Sequence, residues 1–156
     1  LLRPAAAPYG INPLPGRTNP MLTTVTLQAR ILQVRRIDAL QTVGYGAAWR
    51  SARPSRVATI ALGYADGYFR TLINRTHVHL AGRKVPVIGR ISMDLVTVDV
   101  TDVPEGESQP GALVEVLGPH LTADDLAEHA RTNAYAEMTS LGRRYARVYV
   151  DSEPHP

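Results

Sequence analysis

Thr23-Thr24-Val25-Thr26-Leu27-Gln28-Ala29-Arg30-Ile31-Leu32-Gln33-Val34-Arg35-Arg36-Ile37 alternates apolar with polar side chains. Successive side chains of an extended chain point to opposite faces, so a period of two predicts a long, half-buried strand. Working outward, shorter apolar runs bounded by turn residues predict strands at 56–62, 77–80, 84–88, 95–100, 113–117 and 145–150. Ala81-Gly82-Arg83 separates two of them and reads as a hairpin turn. Short strands at this spacing predict a mainly β chain, folded as a barrel or a sandwich.

Helical signals are few. Thr122-Ala123-Asp124-Asp125 offers a hydroxyl N-cap with acids in the first turn, followed by the apolar positions Leu126, Ala127 and Ala130. A second short helix is expected over 134–141, stopped by Gly142 as a C′ residue. Upstream of the first strand, residues 1–21 are rich in Pro, Gly and Asn and read as an irregular linker or the trailing edge of a preceding domain. Residues 22–156 then form the β-rich domain.

Composition narrows the function classes. The chain has 156 residues, 44% hydrophobic, enough for one core. It has no cysteine, which excludes disulfides, thiolate metal sites and a Cys nucleophile. No apolar run is long enough to span a membrane, and the N-terminus lacks the pattern of a secretory signal. It also lacks an initiating Met, which points to a longer parent. The formal net charge of +3 comes from dispersed arginines with acids between them, and Lys84 is the only lysine. That dispersal, with a single Phe and a single Trp, argues against a nucleic-acid-binding surface.

Candidate chemistry centres on Ala61-Leu62-Gly63-Tyr64-Ala65-Asp66-Gly67-Tyr68-Phe69-Arg70. Glycines on either side of Tyr64 free the backbone to turn sharply, so the phenol can be aimed outward. A free phenol has a pKa near 10 and needs positive charge nearby to act as a base near neutrality; Arg70 is close in sequence. The plainer alternative is a packed ring whose hydroxyl finds water. In Gly89-Arg90-Ile91-Ser92-Met93-Asp94, strand alternation would put Arg90, Ser92 and Asp94 on one face, with Met93 as core filling on the other. Tyr135, in Thr132-Asn133-Ala134-Tyr135, stands at the start of a helix, where a hydroxyl and free N–H groups suit a phosphate; a packed aromatic beside an ordinary cap is the alternative. His77 and His79 share a strand face but lack a third metal ligand nearby, so no metal site is expected.

Taken together, Val43-Gly44-Tyr45-Gly46, residues 61–70, 87–94, 121–127, 132–141 and 143–149 resemble the C-terminal domain of the alanine racemases, in order and spacing. Gly-Tyr-Ala-Asp-Gly followed by Gly-Arg-Ile-Ser-Met-Asp is the specific pair. The resemblance implies an alanine-racemase C-terminal-like β-barrel with one or two short helices, and makes residues 1–21 the end of an N-terminal (β/α)8 barrel with its crossover. It implies the cofactor pyridoxal 5'-phosphate, alanine as substrate, a cytoplasmic homodimer sharing its active site between subunits, and D-alanine made for peptidoglycan precursors. Tyr64 matches the tyrosine that works opposite a barrel lysine, to which the cofactor is attached, as alternating proton donor and acceptor. Met93 matches a residue whose backbone meets the substrate carboxylate, Asp94 its neighbour, and Arg90 a residue lining the entry path. Tyr135 matches a phosphate-binding tyrosine. Arg3 matches an arginine at the pyridine nitrogen, where a permanently protonated donor leaves that nitrogen unprotonated and the ring a weaker electron sink.

Departures from that pattern are specific. Ala5 and Ala6 stand where the family has Gly and then Ile, whose amides hold the phosphate. Pro8 replaces a residue with an N–H. Lys84, entering a strand after a turn, has no setting for attachment of a cofactor. The chain alone is therefore expected to be inactive. A dimerisation or binding module derived from such an enzyme, a racemase for another amino acid, and a small basic barrel that binds nucleic acid are the competing readings.

Overall fold

The computed structural model describes residues 3–14 and 16–150. Its centre is a closed antiparallel barrel of six strands. In chain order the strands are β1 (Leu27–Ile37), β2 (Thr42–Val43), β3 (Trp49–Arg50), β4 (Ser55–Ala61), β5 (His77–Leu80), β6 (Arg83–Ile88), β7 (Leu95–Asp99) and β8 (Leu113–Leu117). Around the barrel the order is β1-β4-β7-β6-β5-β8, while β2 and β3 form a separate two-stranded ribbon. Helices α1 (Ala123–Ala130) and α2 (Ala134–Ser140) follow the last strand.

The alternation in β1 is what builds the interior. Leu27, Ala29 and Ile31 are buried between exposed Gln28 and Arg30. The phase then slips, because β1 carries a bulge between Ile31 and Gln33 where it pairs with β4. Leu32 still faces outward in the original phase, at 51% exposure, and beyond the extra residue the alternation is lost, with Val34 and Ile37 only half-buried. Val78, Leu80, Val85, Val87, Val96, Val98, Val114 and Val116 complete the core, and none is more than 3% exposed. β-branched side chains suit these positions because their restricted rotamers pack well on a pleated surface.

The seams between strands differ in length. Five residue pairs, from Val57↔Asp99 to Ala61↔Leu95, join β4 to β7. Across the ring, β5 meets β8 only at His79↔Glu115. The β5–β6 hairpin closes through Ala81 and Gly82, at φ 50° and 72°, the left-handed pair a two-residue turn requires. Helix α1 begins as its sequence predicts: Thr122 Oγ1 accepts from the Asp125 N–H at 3.2 Å, and Asp125 Oδ2 accepts from the Thr122 N–H at 3.0 Å. Its apolar face, Leu126, Ala127 and Ala130, is buried.

Three expectations fail. Residues 145–150 form no strand, and Val148, Tyr149 and Val150 are more than 80% exposed. A strand needs a partner edge, and closure of the barrel leaves none on the six-stranded sheet. The strand expected from residue 23 begins only at Leu27. Gly142 is not a left-handed cap: α2 ends at Leu141 in extended conformation, and the Gly142 N–H donates to Asp66 O at 3.4 Å. That leads the chain across the top of β4 instead of turning it back on the helix.

Candidate active site

Strand β4 delivers the chain directly into the Tyr64 turn. After Ala61 the backbone folds into a 3-10 turn over Tyr64–Asp66 that closes on Gly67, whose φ of 97° only glycine adopts without strain. Asp66 braces the turn, with Oδ2 accepting the Gly63 N–H at 2.8 Å. The loop that leads into β7 lies alongside. Tyr64 N–H donates to Ser92 O at 3.1 Å and Ala65 N–H to Met93 O at 3.0 Å. Gly63 is needed for that approach: a Cβ built on it would lie 2.5 Å from Asp94 N and closer still to Met93 O.

The two specific motifs are therefore one structure. Tyr64 is 40% and Met93 54% exposed, and Asp94 is exposed beside them. Met93 is not core filling, because residues 89–94 form no strand and do not alternate in register with the sheet. The N–H groups of Met93 and Asp94 donate to no group among the described residues. Arg70 lies over the Tyr64 ring, its guanidinium carbon 5.4 Å from the centroid. Arg90 is exposed and packs on the Gly44–Gly46 turn; a Cβ on Gly46 would sit 3.5 Å from its guanidinium carbon.

The remaining predicted residues lie on other segments. Tyr135 is the second residue of α2, 54% exposed, behind an N-cap in which Asn133 Oδ1 accepts the Ala136 N–H at 2.9 Å. The far end of that helix touches the Tyr64 turn, where Ser140 Oγ donates to Gly67 O at 2.9 Å. Arg3 and Ala5 are exposed and Ala6 is buried, on the segment leading into a 3-10 turn over Ala7–Tyr9. Ala5 has φ 53°, the left-handed region that glycine occupies freely. The substitution noted in the sequence therefore falls where a side chain is least welcome. Pro8, by contrast, sits in the first turn of that 3-10 segment, where a missing N–H costs little. No hydrogen bond among the described residues joins Arg3, Ala5 or Ala6 to Tyr64.

Sequence reasoning missed Arg144. Its Nη2 donates to Asp94 Oδ1 at 2.7 Å and its Nε lies 3.2 Å from Asp66 Oδ1. These carboxylates raise its pKa, the Asp94 hydrogen bond contributing most. Nothing local in the sequence marks it, since its partners lie in distant segments.

The histidines gather elsewhere. Ring centroids of His77 and His79 are 5.2 Å apart, those of His77 and His129 5.6 Å, and those of His79 and His120 5.0 Å. No group of His, Asp or Glu among the described residues is arranged to hold a metal ion. Burial lowers the pKa of His77 and His79, and their neighbouring histidines and Lys84 push the same way. Lys84 itself is exposed on β6.

The model of the alanine racemase C-terminal domain family matches residues 24–149. The alanine racemase of Rhodospirillum rubrum is 52% identical over 149 residues, covering 96% of this chain and 40% of that protein. That of Acidiphilium cryptum is 51% identical, over 95% of this chain and 41% of that protein. The chain thus spans about two-fifths of the length of these relatives. Among solved structures, alanine racemase from Bartonella henselae with covalently bound pyridoxal phosphate superposes with a TM-score of 0.87 at 41% identity, over 92% of this chain and 40% of that one. The biosynthetic alanine racemase of Pseudomonas aeruginosa gives 0.87 at 34%, over 93% and 41%.

Proposed function

The chain belongs to the alanine racemase C-terminal domain family, and from that membership we propose that it supplies the tyrosine half of a two-base racemase interconverting L- and D-alanine. The observation that carries the reading is the joining of the Tyr64 turn to the Ser92–Asp94 loop, with the phenol facing outward beside free backbone donors. Tyr64 Oη gives a proton to, or takes one from, one face of the substrate Cα. The base for the opposite face belongs to the part of the racemase outside these residues, since exposed Lys84 has no setting for it. The free N–H of Met93 receives the substrate carboxylate, with Asp94 beside it, and Arg90 lines the approach.

The residues present fit pyridoxal 5'-phosphate. Ala5 and Ala6 have N–H groups without acceptors among the described residues, and Tyr135 offers an exposed hydroxyl; these suit the phosphate. Arg3 is exposed and available to the pyridine nitrogen. When bound, the cofactor supplies the electron sink that makes the α-proton of alanine acidic. No hydrogen bond among the described residues ties the Arg3 segment to Tyr64, which supports an active site shared between two copies of a cytoplasmic homodimer, with residues 1–21 ending the barrel domain of each. Its D-alanine product would feed peptidoglycan precursors.

Tyr64→Phe in the full-length racemase tests the reading. Proton abstraction from L-alanine should slow by about a hundredfold or more, the usual worth of a positioned acid–base group, and far more than abstraction from D-alanine. Equal slowing from both enantiomers at the chemical step would contradict a one-sided role.

A further inference from the structure

Two carboxylates approach the Tyr64 turn from different parts of the chain, and one guanidinium holds both. Asp66 lies within the turn and Asp94 in the neighbouring loop. Arg144 reaches them through separate nitrogens, Nε toward Asp66 Oδ1 at 3.2 Å and Nη2 to Asp94 Oδ1 at 2.7 Å. The segment carrying Arg144 is itself fastened to the turn. Tyr145 Oη donates to Asp66 O at 2.8 Å, and the Gly142 N–H donates to the same oxygen. Residues 142–145, which lead into the stretch expected to be a strand, thus form a strap across the site.

The electrostatic setting of the two acids differs. The Asp66 side chain is 11% exposed and already accepts the Gly63 N–H, so its charge is held inside the turn. The Asp94 side chain is 52% exposed, next to the free N–H groups of Met93 and of Asp94 itself. An incoming carboxylate attracted by those donors would meet the Asp94 charge at close range. Like charges this near a protein surface still repel by an appreciable fraction of their unscreened energy. A guanidinium bonded to Asp94 removes most of that repulsion and fixes the carboxylate in one place. The planar guanidinium engages the two acids through separate nitrogens in a fixed fork, whereas a lysine ammonium would have to serve both from a single nitrogen.

We propose that Arg144 is a positioning residue for substrate: by holding the Asp94 carboxylate beside Asp66 and offsetting its charge, it opens the Met93 and Asp94 N–H groups to the carboxylate of an amino acid. The inference rests on the racemase reading above, and extends it to a residue with no part in proton transfer.

Steady-state racemisation by the full-length enzyme provides the test, in both directions, for wild type, Arg144→Met, Arg144→Lys, Asp94→Asn and Arg144→Met with Asp94→Asn. Arg144→Met should raise KM for alanine about fivefold with kcat changed less than about twofold, as expected when a half-exposed charge pair is broken. Arg144→Lys should raise KM by roughly twofold to threefold, since it keeps the charge and loses the fork. Adding Asp94→Asn to Arg144→Met should bring KM back toward wild type, because the charge needing compensation is gone. A merely structural Arg144 would give no such relief, and persistence of the high KM in the double variant overturns the proposal. So does an unchanged KM in Arg144→Met. Should Arg144→Met not fold, Arg144→Lys with and without Asp94→Asn decides by the same comparison, an unrelieved or absent KM rise again overturning it. An active wild type with an unmoved KM rejects the role of Arg144 alone, whereas an inactive wild type rejects the racemase reading and this inference with it.

Discussion

The Arg70 guanidinium stacks on the face of the Tyr64 ring, 5.4 Å from its centroid. The chain turns twice between the two residues, first at Gly67 and then into a 3-10 turn over Arg70–Leu72, and so folds the arginine back over the phenol. Leu72, two residues further on, is fully buried and anchors the second turn. The ring thus has a cationic partner on one face although it projects into solvent.

Removing that stack should loosen the ring without unfolding the domain. Arg70→Ala in the full-length enzyme is expected to lower kcat about fivefold, corresponding to the roughly 1 kcal/mol of an exposed cation–π contact. Arg70→Lys should recover part of the loss. An unchanged kcat in Arg70→Ala would show that the ring is held by something else.

Gly63 and Gly82 separate two kinds of glycine requirement. Gly63→Ala drives a methyl group into the backbone of Met93 and Asp94, and should destabilise the domain by about 3 kcal/mol, an overpacking cost against atoms that cannot move aside. Gly82 has open space around it but a φ of 72°, so Gly82→Ala should cost only about 1 kcal/mol. Urea unfolding of the two variants beside wild type measures both. Equal costs would mean that the close approach at Gly63 is not rigid.

Ala5 offers the converse case. At φ 53° its methyl group is strained, and Ala5→Gly should stabilise the segment by about 0.5–1 kcal/mol despite the extra freedom glycine has when unfolded. If the Ala5 and Ala6 amides hold a phosphate, the same change should also tighten cofactor binding, measured by absorbance titration of the full-length apoenzyme. Weaker binding would argue against that placement.

Glu137 should make stability depend on pH. It is 3% exposed, Oε1 lacks a partner among the described residues, and burial pushes its carboxyl from 4.5 up to about 7. Between those values the unfolded chain loses the proton while the folded chain keeps it. Stability from this group is therefore fullest below about pH 4.5, falls as pH rises toward 7, and stays lower above, by an amount on the order of 3 kcal/mol. Glu137→Gln should gain most of that at pH 8 and little at pH 4.5, by denaturant melts at both. His77 and His79, with lowered pKa values, act oppositely, costing stability as pH falls below their unfolded value near 6.5. An equal gain at both pH values would mean that Glu137 is not protonated in the fold.

Much of the barrel was legible because its signals are local. Alternation over Leu27–Ile31, the Ala81–Gly82 turn and the Thr122–Asp125 capping box each depend on a few consecutive residues. The ribbon of Thr42–Val43 with Trp49–Arg50 was missed, since two residues are too few to show a period. Residues 145–150 have the composition of a strand, and only closure of the barrel elsewhere denies them a partner. The site divides in the same way. Tyr64 stands out through the glycines around it and Met93 only through the family resemblance, whereas the Arg144 bridge joins three segments far apart in sequence and leaves no local trace.

The unequal seams of the barrel set the order in which it gives way. β4–β7 lies diametrically across the ring from β5–β8, and the Tyr64 turn and the Asp94 loop are continuations of β4 and β7. A thermal fluctuation that parts His79 from Glu115 can therefore unzip one wall while the opposite wall keeps its full ladder. Amide exchange should run fastest where the domain does no chemistry, and the joint between its two motifs should be among the last parts to come undone.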